Sequence, residues 1–117
     1  MMDLDNKVSL VTGAGQGIGE GIAKNLASKG SKVIVVDLNQ QSSENVAEEI
    51  NKKFPNTAYS FQADLTKIDE IESMLEFGVL KFNKIDCICN NAASSKGIGP
   101  VENYSLEDVQ ATLDLTF

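Results

Sequence analysis

Histidine is absent from the 117-residue chain, and so is tryptophan. Without histidine the chain lacks the commonest general base near neutral pH and the commonest zinc ligand, so any proton transfer falls to another side chain. Cysteine is scarce, with only Cys87 and Cys89, two positions apart. Strand geometry puts such a pair on one face, and two thiols do not complete a tetrahedral metal site, so buried, reduced thiols in a reducing compartment are expected. Basic charge is also in short supply, since 10 Lys and Arg stand against 17 Asp and Glu, a net charge of −7. A phosphate backbone is repelled by that balance, which excludes nucleic acid as a partner. Long apolar runs are missing too: the longest is Val33 to Val36, against about 20 residues for a bilayer-spanning helix. No membrane span is expected. The opening Met1-Met2-Asp3-Leu4-Asp5 carries acids where a secretory leader carries Lys or Arg, so a cytoplasmic location is expected.

What remains, 42% hydrophobic and 23% charged residues, is the composition of a packed domain. No internal repeat, low-complexity tract or linker interrupts it, and a single domain over residues 1–117 is the expectation. Lys7 to Thr12 is a short apolar run that stops at a glycine cluster, as a buried strand does. From Gly17 the apolar positions Ile18, Ile22, Ala23, Leu26 and Ala27 recur at helical spacing, and Gly30 follows as a stop. Lys32 to Asp37 is β-branched and continuously apolar, which fits a parallel strand covered on both faces. Asn39 or Ser42 caps a second helix that buries Val46, Ala47, Ile50 and Phe54 and cannot pass Pro55. Tyr59, Phe61 and Ala63 alternate with Ser60 and Gln62, which predicts an edge strand with one wetter face.

Thr66-Lys67-Ile68-Asp69 reads as a capping box ahead of a helix carrying Ile68, Ile71, Met74, Leu75, Val79 and Phe82, with Gly78 weakening its last turns. Ile85 to Cys89 predicts a fourth strand, and Ser105-Leu106-Glu107-Asp108 the start of a last helix. Strands alternating with helices imply right-handed crossovers and a parallel sheet, so the fold class is α/β, doubly wound and Rossmann-like. The order 3-2-1-4 follows, with the first two helices on one face. Ligands in such sheets bind above the carboxyl ends of the strands where the order reverses, beside strands 1 and 4.

Thr12-Gly13-Ala14-Gly15-Gln16-Gly17-Ile18-Gly19 sits at that place. A G-x-G-x-x-G fingerprint fails at Ile18 or at Glu20, and no Gly-Lys-Ser or Gly-Lys-Thr exists for a Walker loop. Thr-Gly-x-x-x-Gly-x-Gly fits, using Gly13, Gly17 and Gly19. Gly13 and Gly17 allow a tight turn and let amides at the helix N-terminus touch a pyrophosphate, while Gly19 lets helix and strand pack closely. Asp37 ends the second strand, where a carboxylate accepts hydrogen bonds from both hydroxyls of an adenosine ribose. Against a 2′-phosphate about 4 Å away it acts unfavourably by about 1 kcal/mol per charge pair in water and about 4 kcal/mol at an effective dielectric of 20. NAD is therefore expected over NADP, with no neighbouring base to compensate.

With Val36-Asp37-Leu38, Ala63-Asp64-Leu65 and Cys89-Asn90-Asn91-Ala92-Ala93 following in order, the chain resembles the N-terminal part of the short-chain dehydrogenase/reductase family over nearly its whole length. The resemblance implies that Asp64 and Leu65 border the adenine, that Asn91 and Ala92 lie along the cofactor, and that the asparagine motif braces the sheet. The candidate cofactor-binding set is thus Gly13, Gln16, Gly17, Ile18, Gly19, Asp37, Leu38, Asp64, Leu65, Asn91, Ala92 and Ala93. Ala93 stands where the family usually has glycine, and Thr116 where its active-site asparagine normally sits.

The family's chemistry implies hydride transfer between nicotinamide and a carbonyl or alcohol substrate, with Tyr-x-x-x-Lys and a serine as catalytic residues. Tyr59 is followed four residues later by Ala63 and Tyr104 by Asp108, so no catalytic residue is assigned. The chain alone is expected to be inactive, its sheet incomplete on the C-terminal side, poorly soluble in isolation, and part of a homo-oligomer at full length. A non-catalytic dinucleotide-binding or partner-capping module, or an inactive truncated product, is the alternative.

Overall fold

The computed structural model describes residues 3–91. The expectations for Ala92, Ala93, Ser105 to Asp108 and Thr116 lie outside these residues. Within that range the elements run β1 (Val8–Thr12), α1 (Gly17–Ser28), β2 (Lys32–Asp37), α2 (Gln40–Lys53), β3 (Ala58–Gln62), α3 (Ile68–Phe82) and β4 (Cys87–Asn90). The strands form one parallel sheet in the order β3-β2-β1-β4, as expected.

Alternation along the strands builds two cores. Val11, Val33, Val35 and Ala58 point to one face and meet Ala23 and Ala27 of α1 and Val46, Ala47 and Ile50 of α2. Leu10, Ile34 and Val36 point to the other and meet Met74 and Leu75 of α3. Central β2 is covered on both sides, and Val33, Ile34, Val35 and Val36 are fully buried. Each such side chain contributes about 1.5 to 3 kcal/mol relative to exposure, which is why this stretch has no polar alternation.

The helix ends have local causes. At the C-terminus of α1, Gly30 takes φ 101°, its N–H bonds the Ala27 carbonyl, and the Ser31 N–H bonds that of Leu26, a Schellman closure that favours glycine. Asn39 caps α2, its side-chain oxygen accepting from the Ser42 N–H at 3.0 Å, which decides between the two candidates. Asn51 ties the end of α2 to β3, accepting from the N–H groups of Thr57 and Ala58 and donating to the Ala58 carbonyl.

Four expectations are corrected. The capping box does not form: Lys67 is the N-cap of α3, with no side-chain cap bond, because the Thr66 hydroxyl is drawn instead to Asp64 Oδ1 at 2.6 Å. β4 spans Cys87–Asn90 rather than beginning at Ile85, whose side chain packs with the α3 core. Gly78 does not weaken α3, which continues to Phe82; a Cβ there would lie 2.9 Å from Ile85 Cδ1, so the glycine permits close packing. The thiols are not a buried pair. Cys87 is exposed and Cys89 half-buried, on one face as expected with sulfurs 3.8 Å apart, and burial followed by the neighbouring Cys87 pushes the Cys89 thiol up to about 11.

Candidate functional site

Parallel register decides what meets at the carboxyl end of the sheet. Thr12 lies opposite Val36 on one side and Asn90 on the other, so the next residues, Gly13, Asp37 and Asn91, come side by side at the end of the sheet, Asp37 as the last residue of β2 and still paired with Gln62. The Ala14 N–H bonds the Val36 carbonyl at 2.9 Å, folding the glycine loop over the end of β2. Thr12 Oγ1 donates to Asn90 Oδ1 and accepts from the Asn91 N–H, both at 3.0 Å. The Asn91 amide donates to the Gly13 carbonyl at 3.4 Å. The asparagine pair therefore braces β4 and the loop.

Each glycine of the fitted pattern has its own reason. Gly13 and Gly17 adopt φ 62° and 61°, a left-handed conformation costing other residues about 1 to 2 kcal/mol. A Cβ on Gly17 would meet nothing within 4 Å, so there the backbone angle sets the requirement and the surface stays open. Gly19 is the opposite case: its Cβ would collide with the Gly13 carbonyl and lie 2.7 Å from Asn91 Nδ2. Gln16 is the extended, exposed N-cap of α1 and gives it no side-chain cap bond. The helical ladder opens with the Glu20 N–H on the Gln16 carbonyl. The amides of Gly17, Ile18 and Gly19 precede it, at the positive end of the helix dipole. The one acid of that turn, Glu20, is paired with Lys24 at 2.6 Å. Lys24 also reaches Glu49 at 2.7 Å, and these two carboxylates hold the ammonium above its usual range.

Asp37 is half-buried beside this loop. Its Oδ2 accepts from the Gly15 N–H at 2.8 Å and its Oδ1 from the Asn39 N–H at 2.9 Å. A carboxylate has about four lone-pair sites, so each oxygen keeps one acceptor position. Ile18 and Leu38 flank the site 77% and 64% exposed; Ile18, placed in the buried stripe of α1 by its spacing, instead offers apolar surface at the loop. Asp64 lies one strand further, past Ala63, whose N–H bonds the Asp37 carbonyl. The Thr66 hydroxyl and then its N–H hold the Asp64 carboxyl below its usual range. Leu65 packs against the α3 core.

Direct contacts thus unite the loop, Asp37 and Asn91, while Asp64 joins through the backbone. Gly15, Thr12 and Asn39 carry contacts that the sequence did not assign. Gly15 had a signal, its place in the alternating glycine row, but its constraint comes from residues on β2 and α2. Among the described residues no group of three or more His, Cys, Asp or Glu could hold a metal ion, and no helix is long and apolar enough to cross a membrane. A cleft of about 150 Å³ between α1 and α2, lined by Lys24, Ser28, Glu49, Ile50, Lys53 and Phe54, lies toward the far end of α1 from the loop.

A glycine turn opening a helix beside a strand-end carboxylate, on a 3-2-1-4 parallel sheet, defines a nucleotide-binding protein of the Rossmann type. The short chain dehydrogenase family profile matches residues 7–117, and the chain belongs to the short-chain dehydrogenase/reductase family. It is 36% identical over 97 residues to the 7alpha-hydroxysteroid dehydrogenase of Escherichia coli K12, covering 83% of this chain and 36% of that protein. It is 36% identical over 115 residues to the hydroxynaphthalene reductase arp2 of Aspergillus fumigatus, covering 97% and 41%. Among solved structures, the 3-ketoacyl-(acyl-carrier-protein) reductase of Brucella melitensis, complexed with NADH, superposes with TM-score 0.73 at 34% identity, covering 94% of this chain and 46% of that one. The chain therefore spans 36% to 41% of the length of these two curated relatives and corresponds to the N-terminal part of members of this family.

Proposed function

We propose that the chain is the NAD(H)-binding part of an oxidoreductase that transfers hydride between nicotinamide and a carbonyl or alcohol carbon. One observation carries the reading: Asp37 presents two remaining acceptor positions beside a helix N-terminus whose amides no side chain caps. The residues fit the group they would hold. The amides of Gly17, Ile18 and Gly19 receive the diphosphate, Gly13 and Gly17 keep side chains out of its path, and Asp37 takes the two ribose hydroxyls. Ile18 and Leu38 offer apolar contact to the flat rings, with Gln16, Asp64, Leu65 and Asn91 completing the surround. When bound, the dinucleotide supplies or accepts the hydride. The relative crystallised with NADH supports a dinucleotide here, and the steroid and naphthol names of the curated relatives support a carbonyl or alcohol substrate.

NAD is preferred over NADP, because a 2′-phosphate would approach an anionic carboxylate with no Lys or Arg in the loop or directly after Asp37. Neither Tyr59 nor Tyr104 heads a Tyr-x-x-x-Lys, so these 117 residues alone bind without turnover, and the full-length protein adds the catalytic residues and forms a homo-oligomer. Fluorescence titration with NADH and NADPH tests the preference. Wild type should bind NADH at least tenfold more tightly, and Asp37→Ala should lose about 1 to 3 kcal/mol of NADH affinity, the range for leaving hydrogen-bonding groups unpaired. Equal affinity for both cofactors in wild type would overturn the reading.

A further inference from the structure

Gly15 lies in the loop but outside the pattern that the turn requires, and its φ is not in the left-handed region. It is nevertheless buried, and the space over its Cα is filled. A Cβ there would stand 2.7 Å from Ser42 Cβ, 2.8 Å from Asp37 Oδ2 and 2.9 Å from Asp37 Cγ. Real Cβ atoms do not approach neighbours so closely. The carboxylate end of Asp37 can swing away only by giving up its bonds from the Gly15 and Asn39 N–H groups, and Ser42 is fixed in the first turn of α2 by its N–H bond to Asn39 Oδ1. The contacts close a ring: Gly15 N–H to Asp37 Oδ2, Asn39 N–H to Asp37 Oδ1, Ser42 N–H to the Asn39 side chain, and Ser42 Cβ back over Gly15.

We infer that Gly15, seated against Ser42, is a positioning residue that sets cofactor discrimination by fixing the direction of the Asp37 carboxylate. The inference rests on the proposed role of Asp37 and adds a cause for its geometry. Two backbone donors, one from the loop and one from the start of α2, pin one lone pair on each oxygen, so the remaining pair faces a vicinal diol as a rigid fork. The Gly15 bond also links the ribose-binding carboxylate to the loop that cradles the diphosphate. An added methyl at 15 pushes the carboxylate out of this fork. Any accompanying shift of the first amides of α1, which NADH and NADPH use alike, weakens both cofactors equally and leaves their ratio unchanged.

The intact protein is titrated with NADH and with NADPH as wild type, Gly15→Ala, Asp37→Ala and the double variant. Gly15→Ala is expected to weaken NADH at least fivefold more than NADPH, so the discrimination ratio falls. In the Asp37→Ala background the same methyl should leave the NADH-to-NADPH ratio unchanged within twofold, because the group it misdirects is gone and the contact with Ser42 acts on both cofactors alike. If wild type shows no preference for NADH, the role of Asp37 fails and this inference falls with it. If wild type keeps its preference but Gly15→Ala weakens both cofactors equally, or lowers the ratio as much without Asp37, the inference alone is overturned and Gly15 serves only loop packing. Should Gly15→Ala not fold, Gly15→Ala/Ser42→Gly removes the immovable contact and is compared with Ser42→Gly. A lower ratio in the former supports the inference, and an unchanged ratio overturns it.

Discussion

Glycines in the loop differ in what they would lose. At Gly17 a methyl has room and costs only backbone angle, whereas at Gly19 it would strike the Gly13 carbonyl, which cannot yield without moving β1 from α1. Gly19→Ala should therefore destabilise by about 1 to 3 kcal/mol, the usual cost of overpacking, and weaken dinucleotide binding, both measured by urea unfolding and titration of the same sample. Asp86 offers a test by pH. Burial alone would raise its carboxyl, but the Val8 N–H at 2.8 Å and Lys84 at 3.1 Å outweigh burial and hold it below the usual value. A depressed folded value means stabilisation present above the ordinary carboxyl range near pH 4 and lost as pH falls through the folded value. Asp86→Asn should then cost about 1 kcal/mol at pH 7, with the gap to wild type in urea midpoint narrowing as pH falls below about 4. Gly13, Gly17, Gly19 and Asp37 were legible because their constraints are local or follow from strand register. Gly15 was not, since what bars a side chain there is Ser42, 27 positions along the chain.

Among the elements, helix boundaries show which local signals survive competition. Asn39 caps α2 with its own side chain, and Asn39→Ala should cost about 1 kcal/mol, read as a lower thermal midpoint with little change in helix content by circular dichroism. The start of α3 carries an equally good cap signal in its sequence, yet Thr66 turns to Asp64, and Glu70 Oε1 accepts from the Asp64 N–H instead. Donating to a charged acceptor two residues back holds the Thr66 hydroxyl away from the helix amides that it would otherwise accept from, and sequence spacing does not register that orientation. Edge strand β3 departs from its expected alternation. Tyr59, expected on the drier face, stays 42% exposed at the edge of the described sheet, while Ser60 on the expected wetter face is half-buried and its neighbour Ala58 buried; the Tyr59 ring packs against Phe77 and Phe82 with Lys81 over its face.

For the molecule as a whole, one register couples fold to site: Thr12, Val36 and Asn90 align across three parallel strands, and Gly13, Asp37 and Asn91 each sit one residue beyond. Strand order was legible because short crossovers are right-handed and β2 is apolar throughout. Exposure of Cys87 was not, since it depends on what flanks β4 rather than on the strand itself. The most direct measurement is a crystal structure of the intact protein grown with NADH. The account predicts diphosphate density against the amides of Gly17, Ile18 and Gly19, with both adenosine ribose hydroxyls within 3.2 Å of Asp37, the outer hydrogen-bond distance. Cofactor bound in the cleft between α1 and α2, or with its ribose turned away from Asp37, would contradict it.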